Sequence, residues 1–187
     1  SPDTTRAALP RWRRASTRSQ AESRQEPARR SSGVRLGWTP GSYELANFAR
    51  HVSAFTATQD GRALRWDKLD PDTWRIIPSG RGEVKLEYKV KADTLDNARA
   101  WTREDFGFFN GTTVFLMVEG RPETPAAVHV RTEPEWRVAT GMTPGDSANR
   151  FVARDVHDLL DHPFFVGRFD LDSMRVAEKW MRLATYP

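Results

Sequence analysis

The sequence predicts an all-β, antiparallel sandwich-like domain with one or two short helices and a disordered N-terminal tail. Three observations predict this fold class. Apolar residues alternate with polar ones in many short segments, Pro- and Gly-containing turns separate these segments, and helical periodicity is confined to two short stretches. The length of 187 residues is that of one domain.

Residues 1–32 differ in composition from the rest of the chain. They contain eight Arg against three acidic residues, and Trp12 is their only aromatic residue. So little apolar surface cannot offset the entropy lost on ordering, which predicts a disordered Arg/Ser-rich tail. Residues 33–187 carry 21 basic and 22 acidic side chains, so the net charge of +4 comes from the tail. This nearly neutral body does not suggest a nucleic-acid partner.

From residue 33 onward the chain is a series of predicted strands and turns. The clearest strand is 83–91, in which four apolar residues alternate with charged ones and predict one buried face. The pair Asp60-Gly61 predicts a hairpin turn. The other predicted strands are 33–38, 51–58, 64–68, 73–77, 112–118, 127–131, 136–140, 151–153 and 164–170.

Two segments carry helical signals. Residues 155–161 begin with a potential N-cap, Asp155, and carry apolar side chains at positions i, i+3 and i+4. Pro163 follows and predicts the end of this helix. Residues 95–101 are the second candidate, for one or two helical turns.

Composition and motifs exclude several classes of protein. No apolar run approaches the roughly 20 residues of a membrane helix, so we expect no transmembrane segment and no membrane partner. No signal peptide is recognised, and the compartment stays undefined. The absence of Cys excludes disulfides, thiolate zinc sites and cysteine nucleophiles. Motifs for a phosphate-binding loop or a nucleophilic serine are also absent from the sequence.

Histidine spacing argues against a metal site. A helical zinc pair needs i, i+4 spacing, as in H-E-x-x-H, whereas His157 and His162 are five residues apart. On a helix their rings would diverge by about 140°. We therefore predict no metal ligand and no catalytic residue in this chain.

The segment Trp38-Thr39-Pro40-Gly41-Ser42-Tyr43 resembles a motif of the glycyl aminopeptidase family. These are zinc metallopeptidases with a PDZ domain, metallopeptidase family sixty-one, and the resemblance is to their N-terminal domain. It continues in order along the chain and covers about Val34 to Pro187. It assigns a structural role to the motif residues Trp38, Pro40, Gly41, Ser42, Tyr43, Phe48, Trp74 and Trp136.

The resemblance implies a β-rich domain that is followed in the family by a thermolysin-like catalytic domain. That domain binds zinc through H-E-x-x-H and a downstream Glu, none of which can be placed in this sequence. We therefore expect no cofactor and no peptidase activity in this chain alone. The expected partners are the catalytic domain and, in the intact enzyme, a peptide substrate.

The resemblance also predicts where the domain is incomplete and where it meets its neighbour. The family has strands before the motif, where this chain has its tail, so we expect residues 33–187 to be incomplete at their N-terminal edge and to lack the catalytic domain. The C-terminal stretch is apolar, and we expect Trp180, Met181 and Tyr186 to face the catalytic domain.

Two other functions fit the sequence. One is a stand-alone β-sandwich binding module for carbohydrate or a protein partner, in which exposed Trp side chains stack on the ligand. The other is nucleic-acid association through the basic tail, which would depend steeply on salt.

Overall fold

The computed structural model describes residues 32–36, 48–95 and 100–186. It confirms the predicted fold class, because most of these residues form strands and the strand pairs are antiparallel. The predicted tail lies outside the described residues except for Ser32, which begins the first strand. Of the predicted helix 95–101, residues 96–99 also lie outside them.

The elements in chain order are short. The strands are β1 (Ser32–Leu36), β2 (Val52–Gln59), β3 (Arg62–Ala63), β4 (Arg65–Asp70), β5 (Thr73–Ile77), β6 (Val84–Val90), β7 (Trp101–Thr102), β8 (Phe106–Asn110), β9 (Leu116–Val118), β10 (Ala126–His129), β11 (Arg137–Thr140), β12 (Thr143–Pro144), β13 (Arg150–Ala153), β14 (Pro163–Gly167), β15 (Asp170–Val176) and β16 (Lys179–Thr185). The helices are a 3₁₀ turn (Phe48–His51), α1 (Gly111–Val114) and α2 (Val156–Leu160).

Two sheets form the first core. The four-stranded sheet β4-β5-β1-β9 and the three-stranded sheet β3-β2-β6 contribute side chains to one apolar cluster. Its centre is Phe55 of β2, which stacks on Trp74 of β5 with the ring centroids 5.1 Å apart. The predicted alternation of β6 is confirmed, since Val84, Leu86 and Tyr88 pack against this cluster.

Two further sheets and helix α2 form the second core. The sheet β11-β14-β8-β7 and the sheet β10-β13-β12 share an apolar cluster around Phe164, which is fully buried. The Phe164 ring stacks on Phe109 at 4.8 Å and meets the edges of Phe115 and Phe151. Offset and edge-to-face contacts of this kind stabilise a core beyond their buried area.

Helix α2 has the cap that the sequence predicts. The Asp155 side chain accepts a hydrogen bond from the backbone N–H of Asp158, at 2.8 Å. The Asp158 carboxylate in turn accepts one from the backbone N–H of Arg154, at 2.9 Å. Satisfying the free N–H groups of the first turn fixes the start of this short helix.

Strand β9 begins later than predicted. The sequence predicts a strand over 112–118, whereas residues 111–114 form helix α1. A Cβ on Gly111 would lie 2.5 Å from the carbonyl oxygen of Leu159, so glycine is needed where α1 approaches α2. This tertiary contact outweighs the β preference of Thr112 and Thr113.

We expect Tyr88→Phe to lower the free energy of unfolding by about 1–3 kcal/mol. The Tyr88 hydroxyl donates to the carbonyl oxygen of Val114 at 2.5 Å, and burial raises its pKa. The variant leaves that carbonyl without its donor. Urea unfolding measures the change, with Thr132→Val as the control, because the Thr132 hydroxyl donates to the carbonyl oxygen of its neighbour Glu133 at an exposed position. Equal stability of the two variants would contradict the prediction.

We expect acid to weaken the start of helix α2. The backbone N–H of Arg154, with help from His162 and the Arg154 side chain, holds the pKa of Asp158 below its usual value. An ionised Asp158 therefore stabilises the fold above the unfolded pKa of about 4, and this contribution is lost as the pH falls through the lowered pKa.

Urea unfolding of the wild type and Asp158→Asn over a pH series measures this effect. The stability difference between the two proteins should shrink as the pH falls below about 4. Asp161→Asn, at the other end of the helix, serves as control. A difference that stays constant with pH would show that the Asp158 charge has no role.

Candidate functional site

The largest exposed apolar side chains of the described residues are concentrated on one hairpin. Strands β15 and β16 pair in continuous register from Asp170–Thr185 to Val176–Lys179. Each strand has seven residues, and of these only Leu171 and Ala184 are not exposed. A two-stranded sheet that is solvated on both faces is marginally stable in water by itself.

The hairpin has two chemically different faces, because residues opposite each other in an antiparallel pair share a face. The apolar face carries Met174 opposite Met181 at its centre, flanked by Leu183 and Val176. Two charged residues lie on the same face, Asp172 opposite Leu183 and Lys179 opposite Val176. The basic face carries Arg175 directly opposite Trp180, with Arg182 two residues further along β16. Trp180 is 67% exposed, the highest exposure among the large apolar residues described.

A strained turn closes the hairpin. Ala177 and Glu178 have φ angles of 46° and 65°, in the left-handed region that two-residue hairpin turns require. Gly and Asn adopt this region easily, whereas other residues are strained there by about 1–2 kcal/mol each. The turn keeps the tip as narrow as the two strands.

The root of the hairpin is tied to Asp105, in the turn between β7 and β8. The backbone N–H of Arg168 donates to the carbonyl oxygen of Asp105 at 2.8 Å. The Tyr186 hydroxyl donates to the Asp105 carboxylate at 2.9 Å, and this bond raises the pKa of Tyr186. Gly167 approaches so closely that a Cβ would lie 2.3 Å from the same carbonyl oxygen. Both ends of the hairpin are therefore fixed to one residue.

A charged depression of about 290 Å³ lies beside the root. It is lined by Glu135, Arg137, Arg168, Phe169 and Asp170. The Arg168 guanidinium pairs with Glu135 at 3.0 Å on the exposed rim. Asp170 is the first residue of β15, and it lies on the same face of the hairpin as Met174 and Val176.

The residues predicted from sequence fall in different places. Trp74 and Trp136 are buried, one in each core, while Phe48 begins the 3₁₀ turn. Residues 37–47, which include Trp38, Pro40, Gly41, Ser42 and Tyr43, lie outside the described residues.

The three predicted interface residues are not on one surface. Met181 and Trp180 lie on opposite faces of the hairpin, and Tyr186 lies at its root, with its ring 4.5 Å from Phe106. The structure instead groups Met181 with Met174, a residue that the sequence reasoning missed. Met174 lies two residues before Val176, and side chains two residues apart in a strand lie on the same face. This spacing could have identified Met174 from the sequence.

The residues described do not fit the zinc centre of a metallopeptidase. His162 lies 3.4 Å from Asp158, and no third ligand joins this pair among the residues that the structure describes. Within the ranges described, no group of three or more His, Asp or Glu is placed to hold a metal ion. None of the helices described there has the length and apolar character to cross a membrane.

The fold defines a β-rich module with two cores and a projecting hairpin. Residues 35–168 match the peptidase M61 N-terminal domain, and the chain belongs to this family. The match confirms the family resemblance seen in the sequence. It ends two residues before the hairpin begins.

A solved structure supports the same assignment. The crystal structure of an aminopeptidase N family protein from Idiomarina loihiensis is similar to this chain, with a TM-score of 0.77 and 28% sequence identity. The similarity covers 90% of this chain and 29% of that protein. The chain thus spans less than a third of the length of that relative. The comparison with curated proteins returned no match.

We expect the double variant Ala177→Asn/Glu178→Gly to stabilise the hairpin by about 1–2 kcal/mol, because both new residues adopt the turn with less strain. The exposed Arg175–Glu178 ion pair that is lost contributes little. Hydrogen exchange of the β15 and β16 amides measures the change, with Asp172→Asn as a control outside the turn. Unchanged exchange in the double variant would mean that the turn is not strained.

Proposed function

We propose that this chain is the N-terminal module of an aminopeptidase-like zinc metallopeptidase. In the intact enzyme it packs on the catalytic domain and forms one side of the substrate cleft. The observation that carries the proposal is the exposed apolar face of the hairpin, in a domain whose family is a peptidase N-terminal domain. The chemistry of peptide hydrolysis belongs to the catalytic domain, so this chain alone is expected to be inactive.

The apolar face has the character of an interface between domains. Met174 and Met181 lie opposite each other, and Leu183 and Val176 extend the surface on either side of them. Fully burying one such side chain stabilises a contact by about 1.5–3 kcal/mol. Contacts between domains of one chain cover roughly 600–1,500 Å². Four exposed apolar side chains on a projecting hairpin can form the centre of a contact of that size.

A wall beside the cleft would act on substrate choice and not on bond cleavage. With one side of the cleft closed, a free amino terminus or a short peptide enters more readily than the middle of a folded chain. The module would therefore favour exopeptidase action without supplying a metal ligand or a proton. This part of the proposal rests on the family assignment.

The alternative of a carbohydrate-binding module has less support. Stacking on sugar rings needs several aromatic side chains in one exposed row. Among the Trp residues described, only Trp66 and Trp180 are exposed, and they lie on separate sheets. Trp66 also contacts the first core, with its ring 5.0 Å from Phe55.

We expect Met174→Ser/Met181→Ser in the intact protein to separate the unfolding of this domain from that of the catalytic domain. Calorimetry should show two transitions in the variant where the wild type shows one, because the apolar contact that couples the domains is lost. Hydrolysis of a short peptide with a free amino terminus should also slow, seen as a lower kcat/KM.

The matched control for this experiment is Arg62→Ser/Lys89→Ser, which shortens two exposed side chains on the sheet β3-β2-β6. The control should keep one transition and the wild-type rate. If the Met variant behaves like the control, the apolar face does not contact the catalytic domain. Peptidase activity of residues 1–187 alone would overturn the assignment of the chemistry.

A further inference from the structure

The basic face of the hairpin is exposed toward the tip, at Arg175, Trp180 and Arg182, whereas Leu171 and Ala184 of the same face are half-buried at the root. Trp180 and Met181 are neighbours in β16, so their side chains point to opposite sides of the sheet. Their exposed fractions are 67% and 55%. A partner that covered only the apolar face would leave the most exposed Trp described in this chain in water.

We propose that the hairpin 170–185 inserts into a slot of the catalytic domain, with both faces covered. This inference rests on the proposed function, and it goes further by defining the shape and chemistry of the partner surface. One wall of the slot is apolar and contacts Met174 and Met181. The opposite wall accepts Trp180 and presents a carboxylate to Arg182.

The charges of the basic face support the second wall. Arg175 pairs with Glu178 across the turn. Within the described residues no carboxylate pairs with Arg182, although Ser173 lies opposite it in the hairpin. Trp and Arg together are the residues that most often dominate the binding energy of an interface, where they are packed and desolvated. An acidic group on the partner would give Arg182 an ion pair that the described residues do not supply.

The shape of the hairpin supports insertion. Its two strands lie about 5 Å apart, and the two-residue turn adds no width at the tip. The root is fixed at Asp105 through Arg168 and Tyr186, so the direction of the hairpin is set before the partner binds. A narrow element held in a set direction loses little entropy on entering a slot. Cover on both faces also supplies the support that a two-stranded sheet lacks in water.

Oxidative footprinting with hydroxyl radicals tests the inference, because Met and Trp side chains react readily when water reaches them. Met174 and Met181 report on the apolar face, and Trp180 reports on the basic face. The oxidation rates are compared between residues 1–187 alone and the intact protein. Trp136, which is buried, and Trp66, which is exposed on the first sheet, are internal references.

In the intact protein we expect Met174, Met181 and Trp180 all to become nearly as unreactive as Trp136, while Trp66 keeps its rate. Protection of the two Met residues without Trp180 would overturn insertion but leave the proposed docking in place. Protection of none of the three, or of Trp180 alone, would overturn both proposals. Equal protection in residues 1–187 alone, rising with protein concentration, would show that a second copy covers the hairpin and would overturn insertion.

Charge reversal tests the acidic wall separately. In the intact protein, Arg182→Glu should restore much of the oxidation of Trp180, because two carboxylates would then face each other. Arg62→Glu reverses an exposed charge on β3 and is the matched control, for which Trp180 should stay protected. Equal Trp180 oxidation in the two variants would contradict the proposal that a carboxylate of the slot faces Arg182.

Discussion

Strand β9 is three residues long, yet both apolar cores depend on it. Leu116 and Val118 pack against the first core, whereas Met117 between them packs against the second. A register shift of one residue would exchange these faces and place each side chain in the wrong core. The register is set by pairing with β1, where Val34 lies opposite Val118, and the Tyr88 hydroxyl reaches Val114 just before the strand begins. Strand β9 therefore contributes side chains to both cores and lies between them.

The elements that could be predicted from sequence are those with local signals. Strand β6 shows strict alternation, and helix α2 shows its cap and its apolar spacing, so both were predicted correctly. Helix α1 could not be predicted, because its residues favour a strand. Its helical turn results from the close approach of Gly111 to Leu159. Strand β1 lies between β5 and β9, which are both far from it in sequence. No local sequence pattern indicates which strands will pair with β1.

The candidate site shows the same division. Composition identifies an apolar C-terminal stretch, and the alternation along it separates Met181 from Trp180 once a hairpin is assumed. Whether a Trp is buried depends on what packs over it, so Trp74 and Trp180 look alike in the sequence and differ in the fold. Tyr186 belongs to the same apolar stretch, but its contacts with Asp105 and Phe106 place it in the body of the domain.

The close contact between Gly167 and Asp105 fixes the point from which the hairpin extends. Arg168, two residues before the hairpin, and Tyr186, directly after it, are bonded to the same residue, so a sideways force at the tip acts on Asp105. No side chain fits at Gly167 without moving that point. The orientation of the hairpin thus depends on a glycine at its root, at position 167, which lies far from the residues exposed at its tip.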